Sequence, residues 1–300
     1  MDATAQLIHS GRRLHLQHGP IDLIVEACGH KKEITSAYKN ADDRFRSILT
    51  ELVAELPALR QQTNNDQCEF NGAVAQRMWR ATTKAGNDVF TTPMIAVAGS
   101  VADEVLAAMN EGTTLDKACV NNGGDIAVTV SQSHGYRVGV VTDLHHHVTK
   151  NNLAATLMIN KADGVGGVAT SGWRGRSQSC GIADAVTVLA CDAATADVAA
   201  TLIANAVDLA DCKQIIRRPA NEVNPDSDLG SRLITVDVLP LTESQTLAAL
   251  QAGLEVAGRL VQRRIITTAG LTLNQQYVTT HNYPILSSQR EEQPGSYHYA

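Results

Sequence analysis

Helix-type and strand-type hydrophobic patterns are grouped along this chain rather than alternated, and this grouping restricts the available folds more than any other feature. Residues 13–17 and 21–26 show strand patterns on either side of a His18-Gly19-Pro20 turn, which predicts a β-hairpin. Between Ile34 and Leu59, apolar residues recur every three or four positions. That spacing predicts a long amphipathic helix directly after the hairpin.

The remaining patterns extend the same grouping. Two shorter helices are predicted over residues 72–82 and 94–109. Strand patterns then cover residues 118–120, 125–130, 136–142, 153–159 and 184–191, and an Ala-rich helix ends near Asp208. A strand over 234–239, a helix over 243–260 and a strand ending near Val278 complete the series. The fold class predicted is α+β, with helices packed on antiparallel sheets.

The domain organisation expected from these patterns is one unit over residues 1–260, built from two related halves, followed by a C-terminal extension over residues 261–300. Strands, helices and strands follow one another in both parts of the larger unit. Residues 282–300 read as a polar tail. We find no short-period repeat in the sequence.

Composition narrows the function classes. The formal net charge is −6, so the chain as a whole has no electrostatic attraction for nucleic acids or acidic membranes. No window approaches the ~20 apolar residues that span a bilayer, and the first residues lack the pattern of a secretory leader. We therefore expect a cytoplasmic protein. Its six scattered cysteines show no zinc spacing and are expected to be reduced.

The first candidate binding segment lies between two predicted strands and reads Asn121-Asn122-Gly123-Gly124-Asp125. Consecutive glycines permit positive φ and let backbone N–H groups approach a ligand oxygen closely. A phosphate or a ring carbonyl would fit there. The alternative interpretation is a strand-to-strand bend in which Asp125 accepts hydrogen bonds from local amides.

A second candidate segment covers residues 166–172 and ends in Thr170-Ser171-Gly172. Its two hydroxyls and flanking glycines are typical of a pyrophosphate-binding loop. The segment lacks the lysine of a P-loop and the spacing of a Rossmann turn. The alternative interpretation is an ordinary surface loop.

Asp197 and Thr201 are four residues apart in the predicted Ala-rich helix, so both project from one helical face. A carboxylate and a hydroxyl together suit Mg²⁺, which prefers a few protein oxygens supplemented by waters and substrate phosphates. The alternative is structural: Asp197 would complement the helix dipole, and Thr201 would pack or hydrogen-bond to the backbone.

Three further features support weaker hypotheses. The run His145-His146-His147 has no acidic or H-E-x-x-H partner for a metal site, so we interpret it as a polar strand end. Cys180 is a candidate reactive thiol, although no neighbouring residue indicates a lowered pKa. The basic residues in 213–218 lack interleaved aromatics and are interpreted as a solvated helix end rather than a nucleic-acid patch.

Taken in order, these segments resemble the ApbE superfamily, known for FAD:protein FMN transferases with N-x-G-G-D, T-S-G and A-D-x-x-x-T segments. From residue 12 to about 257, the chain more closely resembles the UPF0280 family within that superfamily. The carrying segments are Leu16-Gln17-His18-Gly19-Pro20-Ile21-Asp22, Pro93-Met94-Ile95-Ala96-Val97-Ala98-Gly99, Asn122-Gly123-Gly124-Asp125-Ile126, Thr170-Ser171-Gly172 and Ala183-Asp184-Ala185-Val186-Thr187-Val188.

The resemblance implies a T-fold-like α+β architecture with internal duplication. In the transferases, the aspartate and threonine of A-D-x-x-x-T bind Mg²⁺ at the FAD pyrophosphate, and these positions correspond to Asp197 and Thr201. The glycine-rich segments would line the dinucleotide pocket. The resemblance thus implies Mg²⁺-dependent binding of FAD, FMN or another phosphate-containing nucleotide, with flavin or nucleotidyl transfer as the associated reaction. It gives no oligomeric state.

One segment departs from the pattern of the transferases. They carry a His-Ile-x-Asp-Pro segment after T-S-G, where this chain has Ser177-Gln178-Ser179-Cys180-Gly181. UPF0280 proteins have also been associated with sulfide assimilation toward homocysteine. That association supplies the alternative function, a non-catalytic factor for sulfur trafficking or a scaffold, and a thiol in the pocket would favour it.

Overall fold

The computed structural model of this protein describes residues 2–63, 67–85, 89–141, 153–175, 177–280, 285–286 and 298–299. The histidine run at 145–147 and most of the expected polar tail at 282–300 lie outside these residues. Among the described residues, no helix combines the length and the apolar stretch that crossing a bilayer requires.

The strands are β1 (Thr4–Ile8), β2 (Arg13–His18), β3 (Ile21–Gly29), β4 (Leu115–Asn122), β5 (Asp125–Val130), β6 (Gly135–Val141), β7 (Leu153–Asn160), β8 (Gly167–Ser171), β9 (Ala185–Ala190), β10 (Ile215–Pro219), β11 (Leu233–Val238), β12 (Ile266–Leu273), β13 (Gln276–Thr279), β14 (Ile285–Leu286) and β15 (His298–Tyr299). The α-helices are α1 (Lys31–Leu59), α2 (Ala73–Ala85), α3 (Val97–Asn110), α4 (Ala193–Ala206), α5 (Ala220–Val223) and α6 (Glu243–Gln262). Short 3₁₀ segments cover Pro93–Ala96 and Lys161–Asp163.

Nine strands form the main sheet in the order β1-β2-β3-β4-β5-β8-β9-β12-β13, and every neighbouring pair is antiparallel. A second sheet has the order β14-β7-β6-β15, and β10 pairs with β11 alone. The predicted α+β class with antiparallel sheets and packed helices is therefore confirmed.

The same order of elements occurs twice in the main sheet. Strands β2 and β3 are followed by α1 to α3 and then by β4 and β5; strands β8 and β9 are followed by α4 to α6 and then by β12 and β13. In each set, the four strands are adjacent. This order supports the two related halves, which stay a prediction. The boundary expected at residue 260 also stays a prediction, although β12 and β13, which lie beyond it, belong to the main sheet.

The main sheet separates two cores, because alternate residues of each strand face opposite sides. On the helix side, Leu23 and Val25 of β3 pack in one cluster with Phe45 of α1 and with α3 and α4. On the other side, Ile126 and Val128 of β5 pack with residues of the β6–β7 hairpin, such as Ile159. The helices that carry the predicted site therefore cover one face only.

Several elements differ from the sequence interpretation. The segment at 166–172 was expected to be a loop; that expectation is wrong for Gly167–Ser171, which forms the largely buried strand β8. The basic run at 214–218 was expected to be a solvated helix end; that expectation is wrong, because Ile215–Pro219 forms β10 and pairs with β11. Ile215 is buried while Ile216 is exposed, which is the alternation of a strand. The edge strand β1 was not predicted, because four of its five residues are exposed and leave no alternating pattern.

Candidate functional site

Helices α3 and α4 hold each other by reciprocal hydrogen bonds near their first turns. The Gly99 amide of α3 donates to Asp197 Oδ2 of α4 at 3.0 Å. In return, Asp103 of α3 accepts the Ala193 amide at 3.0 Å and the Ala194 amide at 2.9 Å. These amides belong to the unpaired N–H groups of a helix N-terminus, so each aspartate caps the partner helix.

The carboxylate of Asp197 lies beside that of Asp125, the first residue of β5. Asp125 follows a turn in which Gly123 and Gly124 have φ values of 66° and 115°, so that turn needs glycine. Burial, followed by the charge of Asp125, raises the pKa of Asp197 well above its ordinary value, while the Gly99 and Ala98 amides lower it. Two carboxylates placed together in this way favour a bound cation.

A polar stripe runs along α4, which is otherwise rich in alanine. Asp197, Thr201 and Asn205 are spaced at four-residue intervals, so they share one face. Asn205 Oδ1 accepts the Ser179 hydroxyl at 3.0 Å and the Cys180 amide at 2.9 Å. Asn205 thereby holds the 177–181 segment against α4. Sequence analysis missed Asn205, although extending the Asp197–Thr201 spacing by one more turn would have found it.

The polar stripe lines a cavity of about 770 Å³, which we call the α4 cavity. Its other walls come from segments within residues 89–98, 177–180, 224–232 and 256–263, together with Arg60, Ala85 and Asp125. This volume is within the range of pockets that bind cofactors and other small ligands.

The structure brings some of the predicted site residues together and places others elsewhere. Asp125, Asp197 and Thr201 all line the α4 cavity. Asn122 does not line it, but its side-chain amide donates to the carbonyl of Ala98, a lining residue, at 3.1 Å. Gly123 is absent from the lining and Gly124 donates to Asn121 Oδ1 at 2.8 Å, as the bend interpretation expects.

The Thr170-Ser171-Gly172 segment is absent from the lining of the α4 cavity. Thr170 shares a hydrogen bond with Thr187 across β8 and β9, with 2.9 Å between the hydroxyl oxygens, and Ser171 pairs with Val186. A Cβ on Gly172 would lie 2.5 Å from the Asp184 carbonyl oxygen. The glycine is therefore required by packing between neighbouring strands, and a ligand role for the segment stays a prediction.

Four arginines that sequence analysis did not assign to the site line the α4 cavity: Arg60, Arg232, Arg259 and Arg263. The last three are exposed. Arg60 lies 3.9 Å from a carboxylate oxygen of Asp226, whereas the other three have no ion pair among the residues that the structure describes. The lining also holds four carboxylates, those of Asp125, Asp197, Asp226 and Asp228. The arginines therefore attract an anionic ligand locally and not through a net positive charge of the cavity.

Cys180 lines the same cavity. Burial raises the pKa of its thiol, and the charges of Arg217 and Arg232 act in the opposite direction. The thiol is therefore positioned to meet a ligand but is mainly protonated at neutral pH.

Within the described ranges, no three His, Cys, Asp or Glu side chains cluster as metal ligands would. A metal ion in the α4 cavity would depend on Asp197, its neighbour Asp125 and the Thr201 hydroxyl, with ligand oxygens or water completing its coordination. Mg²⁺ accepts this arrangement because it commonly binds one or two carboxylates together with substrate phosphates. The donor set therefore fits Mg²⁺.

Comparison with known proteins places this chain in a family. The family described as AbpE bacteria matches residues 5–279. A UPF0280 protein of Methanopyrus kandleri is 35% identical over 189 residues, which cover 62% of this chain and 71% of that protein. A UPF0280 protein of Methanosarcina acetivorans is 36% identical over 175 residues, which cover 58% of this chain and 64% of that protein.

Two solved structures show a more distant likeness. The flavin transferase ApbE from Vibrio cholerae is 11% identical with a TM-score of 0.42, covering 92% of this chain and 97% of that chain. The apo flavinyl transferase ApbE from Pseudomonas stutzeri is 13% identical with a TM-score of 0.39, covering 93% and 95%. We draw no functional argument from these two structures. The sequence matches, in contrast, cover most of the fold described above, and by them the chain belongs to the AbpE bacteria family, together with the UPF0280 proteins.

Proposed function

We propose that the α4 cavity binds a flavin nucleotide, FAD or FMN, or another phosphate-containing nucleotide, together with Mg²⁺. The observation that carries this proposal is the convergence of Asp125, Asp197 and Thr201 on one cavity. Asp197 and Thr201 would hold the metal, and Asp125 supplies a second negative charge beside them. Bound Mg²⁺ would neutralise phosphate charge and polarise the phosphate oxygens.

The protein's own residues prepare this binding. The Gly99 amide fixes one oxygen of Asp197, so the carboxylate is oriented before any ligand arrives. The arginines of the cavity attract the anionic nucleotide. Flavin or nucleotidyl transfer is the reaction we associate with the site. Ser177, Gln178 and Cys180 line the cavity in the segment where transferases carry histidine and aspartate, so a transfer reaction here would use different side chains.

The experiment is a calorimetric titration of FAD, FMN and ATP with and without Mg²⁺, on the parent protein and on Asp197→Asn. In the parent, we expect Mg²⁺ to strengthen binding of at least one nucleotide by about 1–3 kcal/mol, because metal and phosphate complete each other's coordination. Asp197→Asn should abolish that gain while retaining an oxygen for the Gly99 amide.

Asp237→Asn is the matched control, because Asp237 is exposed on β11 and does not line the α4 cavity. It should keep the Mg²⁺-dependent gain, and urea unfolding should show that both variants are folded. The proposal fails if no nucleotide binds the parent, or if nucleotide affinity is indifferent to Mg²⁺ and to Asp197.

The alternative function is a non-catalytic role in sulfide assimilation, and one observation favours it: the Cys180 thiol lines the α4 cavity. A sulfur-handling protein needs a thiol that reacts near neutral pH. The raised pKa of Cys180 opposes that role, so the nucleotide proposal ranks first.

Alkylation separates the two functions. We expect iodoacetamide to label Cys180 slowly at pH 7 and faster as the pH rises, because burial keeps the thiol protonated. Labelling at each cysteine is measured by peptide mass spectrometry, with a short cysteine-containing peptide as the reference and Cys180→Ser as the control. Rapid labelling of Cys180 at pH 7, with protection by a sulfur compound rather than a nucleotide, would instead support sulfur handling.

A further inference from the structure

A stacked pair of side chains forms part of the wall of the α4 cavity. The guanidinium carbon of Arg232 lies 3.2 Å from the centroid of the Phe90 ring, and both residues line the cavity. The two segments are also tied by a hydrogen bond from the Thr92 hydroxyl to the Asp228 carboxylate. Contact with the ring fixes the plane of the guanidinium, so the guanidinium is oriented before a ligand binds.

Arg232 is stacked but not neutralised. It has no ion pair with any described carboxylate; Asp228, four residues earlier, accepts from Thr92, and Asp226 lies beside Arg60. A guanidinium has five N–H donors in one plane. Those of Arg232 have no side-chain acceptor among the described residues, and the side chain is exposed. Its edge is therefore available to ligand oxygens, and the face that points away from Phe90 is available to a ligand ring.

Contacts of the neighbouring segments indicate where this pair lies along the polar stripe. The strand that follows the stacked arginine, β11, donates its Thr235 amide to the Ser179 carbonyl at 2.9 Å. The Cys180 amide in turn donates to Asn205, eight residues after Asp197 on α4. Eight residues of α-helix rise ~12 Å. These contacts place the stacked pair on the Asn205 side of the polar stripe rather than beside Asp197.

We propose that Phe90 and Arg232 form the subsite for the planar aromatic ring of the bound ligand. The inference rests on the proposed function: phosphates at Asp197 leave the ring of a nucleotide farther along α4, beyond a sugar or ribityl chain. There the ring stacks on the guanidinium or the phenyl group, and ring carbonyls accept N–H donors from Arg232. A flavin and an adenine share this planar chemistry.

The test uses riboflavin and adenosine, which have a ring but no phosphate, in the absence of Mg²⁺. Riboflavin binding is followed by quenching of its fluorescence, and adenosine binding by calorimetry. Arg232→Lys keeps the charge but loses the planar group, and Phe90→Ala removes the ring beneath it. Each variant should weaken binding of the preferred compound by about tenfold. Phe90→Trp should keep it, and Arg264→Lys, outside the cavity lining, should leave it unchanged.

The outcomes separate this inference from the nucleotide proposal. If binding of riboflavin or adenosine depends on Phe90 and Arg232, the ring subsite is supported, even if Asp197→Asn leaves FAD binding and its response to Mg²⁺ unchanged. The compound whose binding weakens in the variants identifies the ring that the subsite accepts. Equal affinities in the parent, Arg232→Lys and Phe90→Ala would overturn the inference. It would also be overturned if Arg232→Lys binds as the parent does while Arg232→Gln does not, since charge alone would then explain the effect.

Discussion

Gly99→Ala is expected to lower the free energy of unfolding by about 3 kcal/mol, although alanine is the better helix former. A Cβ on Gly99 would lie 2.3 Å from the Ala193 carbonyl oxygen, 2.5 Å from its carbon and 2.8 Å from the Ala194 nitrogen. All three are backbone atoms, so no rotamer change can relieve the overlap, and α3 must move away from α4. Urea unfolding of the parent and the variant measures the loss.

Gly258→Ala is the matched control. Gly258 lies within α6, and a Cβ there would meet nothing within 4 Å. This substitution should stabilise the protein by about 0.5–1 kcal/mol, because alanine restricts the unfolded chain and favours the helix. If Gly99→Ala is neutral or stabilising like Gly258→Ala, the close approach of α3 and α4 is wrong, and so is the placement of Asp197.

The second large effect is a pH dependence of stability that originates at Asp103. Burial raises the pKa of this carboxyl to about 7, although the Ala193 and Ala194 amides lower it. Between its ordinary pKa near 4 and about 7, the folded protein keeps a proton that the unfolded chain has released. This bound proton stabilises the folded protein fully below about pH 4. The stabilisation decreases as the pH rises above 4 and is lost as the pH rises through 7.

The contribution of Asp103 to stability should therefore fall by about 3 kcal/mol between pH 5 and pH 8. Comparison with Asp103→Asn removes the titration of Asp103, because asparagine does not titrate. It also removes the small part of the raised pKa of Asp197 that comes from the charge of Asp103, and this change acts in the same direction. Urea unfolding at several pH values should show the stability difference between parent and variant shrinking as the pH rises. A constant or growing difference would mean that Asp103 is ionised throughout this range.

The α+β class could be predicted because strand and helix patterns occupy separate stretches of the chain. The helix α1 was visible from the spacing of residues such as Phe45 and Ile48, which are fully buried. The strand β10 was misinterpreted because Arg217 and Arg218 suggested a solvated helix end. Its pairing with β11 is a contact between distant segments, and single-segment composition carries no information about such a contact.

The sequence likewise predicted the parts of the site that depend on local pattern. Asp197 and Thr201 belong to one helix and Asp125 belongs to one turn, so the residues around them were enough to identify them. Their proximity depends on the packing of α3, α4 and β5. The contact between Asp197 and Gly99 joins residues 98 positions apart. Arg232 and Arg259 reach the cavity from different elements and have no motif around them, so no sequence signal could have assigned them.

The reciprocal capping of α3 and α4 has a consequence for how the protein is made. During synthesis, α3 leaves the ribosome before the residues that cap it, so its first turn stays unsatisfied until α4 follows. The start of α4 is capped in part by its own Asp192, but its Ala193 and Ala194 amides need Asp103 of α3. We therefore expect the α4 cavity to form late, when α3 and α4 have met, and a nascent chain ending before α4 to bind no nucleotide. A ligand of the α4 cavity would then stabilise completed chains and not shorter ones.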